Sequence, residues 1–390
     1  VEQSAMGGIG VAFSNYKFIN FTNPAAYADL RFTTYSVGML NNDLTIKSGT
    51  TEQSSTSTSL SYIAFAFPIG QKAGFSFGMQ PVSSIGYSLS TSIFDSNDVR
   101  TQISLFEGNG GVNRIYGSLG FKVTKDFSLG IEGDFNFGNI ENSVAVLRAD
   151  VALSTKYNEV TAVSGGSVKI GAQYHKEFKN KLMISTGATV KLSNSLNVTG
   201  NDYLYSLTFS GTGSEIPRDT ISSNTIAGSF NIPITTNVGI GFGKFDKWYA
   251  GVEYESQDAL TTLGLLSGGT NSPYNYGKSS RFSLGGFYLP KLNSISSYWE
   301  RVTYRAGIRF ENTGLLVDGS GNNTSFSQID DFGISFGLGL PLQRLSTINM
   351  GFEFGKRGTL QNNLIQENYF NLRVSLSLTD INWFVQRKID

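Results

Sequence analysis

Residues 127 to 137 read FSLGIEGDFNF, with Phe127, Leu129, Ile131, Phe135 and Phe137 set between Ser128, Gly130, Glu132, Asp134 and Asn136. Side chains of a strand point alternately to its two faces, so this stretch has one greasy and one polar face. Residues 75 to 79, FSFGM, repeat the pattern. Two surroundings demand such strands: a soluble sheet with one wet face, or a barrel with hydrocarbon outside and a polar lumen. Length separates them. Several runs reach the roughly 9–11 residues that a tilted strand needs to cross hydrocarbon, whereas strands of soluble sandwiches usually hold about 5–6.

Composition points the same way. The 390 residues are 39% hydrophobic, 13% aromatic and only 15% charged, against about 25% charged in soluble domains. Mean hydropathy is −0.11, the mild average of strands that alternate lipid-facing and lumen-facing residues. A helical membrane protein would show apolar runs of about 18 residues or more, and the sequence has none. Charge balances at 30 Lys+Arg against 30 Asp+Glu without a basic stripe, which argues against nucleic acid as a partner. The absence of cysteine removes disulfide scaffolds, Cys-ligated zinc and thiol chemistry, and suits an oxidising periplasm. Since the chain starts at Val1 without a charged-then-apolar leader, we read it as a mature form whose secretory signal has been removed.

The alternation places strands near 31–48, 57–69, 72–91, 111–124, 126–140, 165–177, 180–197, 231–244, 246–257, 279–289, 300–313, 328–341, 346–356 and 367–379, about fourteen in all, an even number as closure requires. Tight polar connections fall at Gly70-Gln71-Lys72, Thr124-Lys125-Asp126, Lys179-Asn180-Lys181, Phe245-Asp246-Lys247 and Gln343-Arg344-Leu345-Ser346. These are expected to be periplasmic turns. A longer connection on that side, Lys291 to Trp299, brings Tyr298 and Trp299 to the aromatic belt. Long segments near 49–56, 92–110, 141–164, 198–230, 258–278, 314–327 and 357–366 are expected to be extracellular loops. The expected fold is thus all-β, a transmembrane antiparallel β-barrel over 31–380 in the bacterial outer membrane, with both termini periplasmic. Residues 381–390, including Phe384, form a short basic periplasmic tail.

The first thirty residues break the pattern. MGGIGVAF at 6–13 and NPAA at 23–26 are small, apolar and Gly-rich. Met6, Gly7, Gly8, Gly10, Phe13, Asn23, Pro24 and Ala25 are made for close packing, and we expect residues 1–30 to form a folded plug, or hatch, in the lumen rather than a free tail.

MGGIGVAF followed about ten residues later by NPAA resembles the start of the FadL family of outer-membrane transporters of hydrophobic compounds. The hairpin YIAFAFPIGQKAGFSFGMQ at 62–80, with Pro81 after it, is similar to that family's second hairpin. Residues 231–254 resemble its mid-barrel hairpin and 332–354 its penultimate one. The likeness covers almost the whole chain, the plug motif being its more specific part. It implies a fourteen-stranded barrel, an N-terminal hatch, and passive diffusion of hydrophobic ligands such as long-chain fatty acids through a lateral opening.

Candidates for such traffic exist. Pro81 cannot donate to a ladder, so it marks a bulge or kink, with Ser83, Ser84 and Gly86 easing the distortion. This is either a lateral opening or a kink without traffic. Pro233 reads as a strand start. Val144, Leu147, Val151 and Leu153 in one outer segment, and Tyr203, Tyr205 and Phe209 in the next, are candidates for a ligand-capture groove, or for hairpins that only extend the barrel.

Catalytic signals are sparse. The only histidine, His175, lies beside Lys176 and Glu177 at a strand end and reads as a rim residue. Asp318-Gly-Ser-Gly-Asn-Asn has the look of a calcium loop without its closing Glu, and we read it as a solvated loop. Gly110-Gly111 reads as a turn, and Asp330 and Asp331 as rim residues facing water. Arg114, Glu132, Asp134, Lys169, Lys191, Glu253, Arg305, Arg309 and Glu353 should point inward, since a basic residue facing lipid at the midplane costs about 2–4 kcal/mol. No enzyme, cofactor or metal is expected. Partners are a hydrophobic small molecule or lipid, and outer-membrane lipids. An alternative is a non-transporting accessory barrel of a multi-protein outer-membrane assembly, which would have protein partners.

Overall fold

A computed structural model describes residues 1–380 except 213, 245, 265–273, 323 and 343–345. Phe245, Gln343-Arg344-Leu345, Asn323 and the tail 381–390 lie outside the described residues. The sheet comprises β1 (Thr33–Ser48), β2 (Thr51–Ile69), β3 (Ala73–Phe94), β4 (Arg100–Lys122), β5 (Phe127–Arg148), β6 (Ser154–Glu177), β7 (Leu182–Lys191), β8 (Asn194–Phe209), β9 (Glu215–Ile232), β10 (Thr235–Lys244), β11 (Trp248–Gln257), β12 (Thr261–Gly264), β13 (Tyr274–Tyr276), β14 (Ser279–Tyr288), β15 (Thr303–Val317), β16 (Ser327–Pro341), β17 (Thr347–Gly358) and β18 (Ile365–Asp380). Four wall strands are each interrupted once, β7 leading into β8, β9 into β10, β11 into β12 and β13 into β14, so fourteen strands make the wall. All pairings are antiparallel, and β18 pairs back onto β1, which closes the barrel and leaves no terminal edge. Pro233, without a ladder donor, lies in the break between β9 and β10.

Burial along the strands is inverted relative to a soluble protein. In β5, Ile131 and Phe135 are 48% and 45% exposed while Glu132 and Asp134 between them are 1% and 7% exposed. Apolar residues face outward and polar ones inward, as hydrocarbon outside and a polar interior require. Register gathers Trp248, Tyr288 and Tyr304 into one outward row near the tight turns, and Tyr254, Phe282, Phe310 and Phe332 into another toward the opposite end. Aromatic rings at these levels suit the membrane–water boundary.

The regions 92–110, 141–164 and 198–230 are not loops for most of their length. β3 and β4 continue to Phe94 and Arg100, β5 and β6 to Arg148 and Ser154, and β8 and β9 to Phe209 and Glu215. These stretches stay in register as tall hairpins. Beyond the hydrocarbon both faces can meet water, so apolar alternation fades while the backbone ladder persists. Gly110 and Gly111 likewise do not form a turn: they sit inside β4 with φ of 114° and 157°.

Candidate functional site

Residues 1–30 lie against the inner face of the wall. Pro24–Asp29 form a 3-10 turn begun by Asn23, whose side chain accepts from the Ala25 amide, with Pro24 at the first helical position where its missing N–H costs nothing. Four neighbouring strands receive this turn on glycine. A Cβ at Gly74 would run into Tyr27 O, at Gly120 into Pro24 O, at Gly130 into the Pro24–Ala25 backbone, and at Gly171 into the Asn23 side chain. Farther round, Gly187 meets Val11, while Gly285 and Gly307 meet Met6 and Gly7. Met6, Ile9 and Phe13 bury against Tyr249, and Ile19, Tyr27 and Leu30 against Tyr62 and Tyr116.

Polar side chains tie the segment internally and to the wall. Asn20 donates to the carbonyls of Gly10 and Phe13 at 2.8 and 2.7 Å and accepts from the amides of Thr22 and Asn23. Asn23, wholly buried, donates to Val11 O on the segment and to Ala172 O on β6. Glu253 on β11 accepts from the amides of Gly10 and Val11 at 2.7 and 2.8 Å. Lys169 reaches Phe21 O at 3.0 Å, and Gln173 reaches Val11 O at 2.8 Å.

At the end bearing the tight turns, Asp29 is a hub. It accepts from Ser14 and sits 2.7 Å from the Lys122 ammonium and 3.4 Å from His175 Nδ1, while His175 Nε2 lies 3.2 Å from Ala12 O. The histidine is thus a contact between β6 and the segment. Burial opposes ionisation of Asp29, but hydrogen bonding and charge from His175, with Lys122 and Ser14, hold its carboxyl well below the usual carboxylate range. A depressed folded pKa contributes stability above the ordinary carboxylate pKa that is lost as pH falls through the folded value. Hydrogen exchange at residues 12–31 is therefore expected to stay protected from neutral pH down through the ordinary carboxylate range, with release only in stronger acid. Release at the ordinary carboxylate pKa would show that Asp29 pins nothing.

Above the segment, Ser4, Gly7 and Gly8 floor a space of about 470 Å³ lined by Arg281, Arg309, Arg357, Arg373, Glu353, Glu367 and Tyr369. Each arginine has a carboxylate. Arg281 faces Glu255 at 2.9 Å, Arg309 faces Asp331 and Glu353 at 3.4 and 3.2 Å, Arg357 faces Asp331 at 2.9 Å, and Arg373 faces Glu353. Asp331, 2% exposed, also accepts from Tyr369 at 2.6 Å, so it is a lumen residue and not a rim residue in water. Inward alternation on β16 decides this, because Phe332 takes the outer face. On the far wall Lys169 pairs with Glu132 at 2.8 Å and Lys191 with Asp134 at 3.5 Å, with Arg114 3.6 Å from Glu132. Arg305 donates to Asn349 at 3.0 Å.

The wall forks between β2 and β3. Their ladder runs from Ile69–Ala73 to Ile63–Met79, and among the described residues no rung joins them beyond it. Both strands bulge there: β2 skips Ser61 against β1, and β3 skips Val82, next to Pro81, against β4. Each bulge bends its strand, and beyond it β2 stays paired with β1 and β3 with β4. Gly110 and Gly111 let the adjoining strands follow, since a Cβ at Gly111 would meet Ser83 O and one at Gly110 would meet Asn139 O. Pro81, Ser83, Ser84 and Gly86 all belong to the β3 lip. The skipped residue also shifts facing, so Ile85, Tyr87 and Leu89 share rows with Gly110, Gly108 and Phe106 on the inner face. Nearby on that face Val112, Val163 and Val198 pack with Ile140, Leu196 and Phe230.

The other sequence candidates separate. Val144 shares a row with Tyr157 and Leu204, whereas Tyr205 shares one with Ala145 and Lys156, so Val144 and Tyr205 point to opposite faces. Leu147, Tyr203 and Phe209 are also on these strands, and Val151 and Leu153 occupy the connection between β5 and β6. Asp318 accepts from the amides of Ser320, Thr324 and Ser325, which makes it the anchor of its own turn. Asn20, Asp29, Ser61 and the inward glycines carried no motif. The usable signal was glycine at positions where alternation calls for a lumen side chain.

The BamG family matches residues 1–390, the entire chain. The chain belongs to the BamG family. No curated protein matches it. Its fold is shared with three solved structures: the Pseudomonas putida toluene transporter TodX at 16% identity and TM-score 0.61, with 97% of each chain covered; the Ralstonia pickettii toluene transporter TbuX at 16% and 0.62, with 96% and 97% covered; and a Pseudomonas aeruginosa FadL homologue at 14% and 0.62, with 97% of each covered. This BamG-family chain thus has a FadL-type barrel at low sequence identity.

Proposed function

We propose that the protein is an outer-membrane channel that passes hydrophobic small molecules, long-chain fatty acids among the substrate classes, sideways through the fork between β2 and β3. In this reading residues 1–30 act as a plug that shuts the straight route through the lumen. The observation that carries it is the loss of the β2–β3 ladder beyond Ile63–Met79, with a bulge on each lip. An apolar solute gains nothing from the ion-paired space above the segment, where it would strip water from charged groups. The fork avoids that space. Its inner lip offers Ile85, Tyr87 and Leu89, and its outer side Ile63 and Met79. The toluene transporters that share its fold support this reading. Deleting Ser61 and Val82 together removes both bulges without changing the facing of other residues. Uptake of a radiolabelled long-chain fatty acid and of toluene by cells carrying that variant is expected to fall about tenfold, a barrier rise of roughly 1.4 kcal/mol, at equal barrel abundance. Unchanged uptake of both would remove the fork as a route.

A second reading, an accessory barrel of an outer-membrane assembly, is favoured by the charge-matched lumen and by the tall hairpins, where β3 offers an open edge beyond Met79. Purification from native membranes in gentle detergent tests it: stoichiometric protein partners support the accessory role, and an isolated barrel opposes it.

A further inference from the structure

The inward glycines at 74, 120, 130, 171, 187, 285 and 307 are explained by the segment they receive, but Gly117, Gly133 and Gly166, which face outward, are not. Across the outer wall one row runs Phe65, Phe77, Gly117, Gly133 and Val168, and the next runs Ile63, Met79, Ile115, Phe135 and Gly166. A Cβ at Gly133 would meet nothing within 4 Å, and one at Gly117 only the tip of Phe75 at 3.8 Å. None of the three has a positive φ. At Gly166 the added Cβ would touch Asp134 O at 3.4 Å, an ordinary contact; neither packing nor backbone conformation calls for glycine at the three positions, and each forfeits apolar area while loosening the unfolded chain. The result is a groove of about 970 Å³ with a backbone floor, reaching from the β2 side to Leu192. That is the scale of sites which bury small apolar molecules, roughly 300–1,000 Å³.

We propose that this groove is a binding site for one hydrocarbon chain of an outer-membrane lipid. The outward side chains around it include Ile63, Phe65, Phe77, Met79, Ile115 and Phe135, none of which can bond or pair with a polar group. The groove continues the hydrocarbon-facing surface of the barrel, so the membrane's own chains are the occupant in contact with it. A flexible chain conforms to a trench with a flat backbone floor, and burial there gains about 0.8 kcal/mol per methylene only where the wall closes around it. Its near end is Ile63–Met79, the last rung below the fork, which places the chain's end at the foot of that opening. The site stands whether or not the fork conducts.

Wild-type protein in phospholipid bilayers whose acyl chains carry a photoactivatable diazirine tests this. Adducts on Phe77, Ile115 and Phe135 are expected to exceed those on Ile240 and Phe242, outward residues of β10 that are 41% and 52% exposed, by about tenfold. Equal labelling of the two regions would overturn the proposal, because every lipid-facing residue meets bulk chains. Filling the groove with Gly117→Val and Gly133→Leu should abolish the excess while leaving Ile240 labelling intact. Persistence of the excess in that variant would also overturn it. So would crosslinks from these positions to a protein instead of lipid in native membranes, which would make the groove a subunit contact.

Discussion

Replacing Glu253 by alanine is expected to free residues 6–13 from the wall while leaving the barrel closed. The Glu253 carboxylate is 4% exposed and accepts from the Gly10 and Val11 amides and from Asn237 at 2.7 Å. Without it, two buried backbone N–H groups lose their partner at about 1–3 kcal/mol each. Arg281, 2.9 Å from Glu255, sits close enough to the site to feel the lost charge as well. For the two amides together that is on the order of 2–6 kcal/mol. The wall strands are held by their own ladders and feel little of it. Hydrogen exchange should therefore rise at Gly10 and Val11 by two or more orders of magnitude with no change along β10 and β11, and ion conductance through the purified barrel should increase. Glu253→Gln retains a carbonyl acceptor and should fall between wild type and Glu253→Ala. If alanine leaves exchange at Gly10 and Val11 unchanged, the carboxylate does not hold the segment.

The wall was legible because its chemistry has a period. Phe127 to Phe137 could be assigned from two-residue alternation alone, and the expected lumen charges Glu132, Asp134, Lys169 and Glu353 are paired inside. Where water replaces hydrocarbon the signal disappears, so Thr51–Thr56, polar on both faces, read as part of a loop although it belongs to a paired strand. Bulges were half legible. Pro81 announces one because it lacks an amide hydrogen, but nothing in Ser61-Tyr62-Ile63 marks the other, since register arises from what a strand is paired with. The same limit applies to Asp331, whose facing depends on one step of alternation, and to Asn20, whose role rests on carbonyls brought back by a chain reversal. Glycines proved the most ambiguous letters. Gly130 and Gly133 lie three residues apart in β5, yet one receives the segment and the other opens onto the outer groove.

That pair yields the second large effect. Gly130→Val should expel the Pro24–Asp29 turn, whereas Gly133→Val should be tolerated. The added Cβ at Gly130 falls on the Pro24–Ala25 backbone, which cannot swing aside as a flexible side chain could. Overpacking of a filled site costs about 1–3 kcal/mol, occasionally more. The same turn rests equally closely on Gly74, Gly120 and Gly171, so lifting it off Gly130 disturbs all four seats. The alternative open to the molecule is to release the turn and with it Tyr27, 1% exposed, from its pocket against Tyr62 and Tyr116. Protease sensitivity between residues 14 and 31 should appear in Gly130→Val only, with β-sheet content by circular dichroism equal in both variants. The Cβ added at 133 meets no protein atom within 4 Å and lies on the outer face, away from the segment. Equal protection of the segment in the two variants would mean that Gly130 does not seat it, and that the row of inward glycines needs another cause.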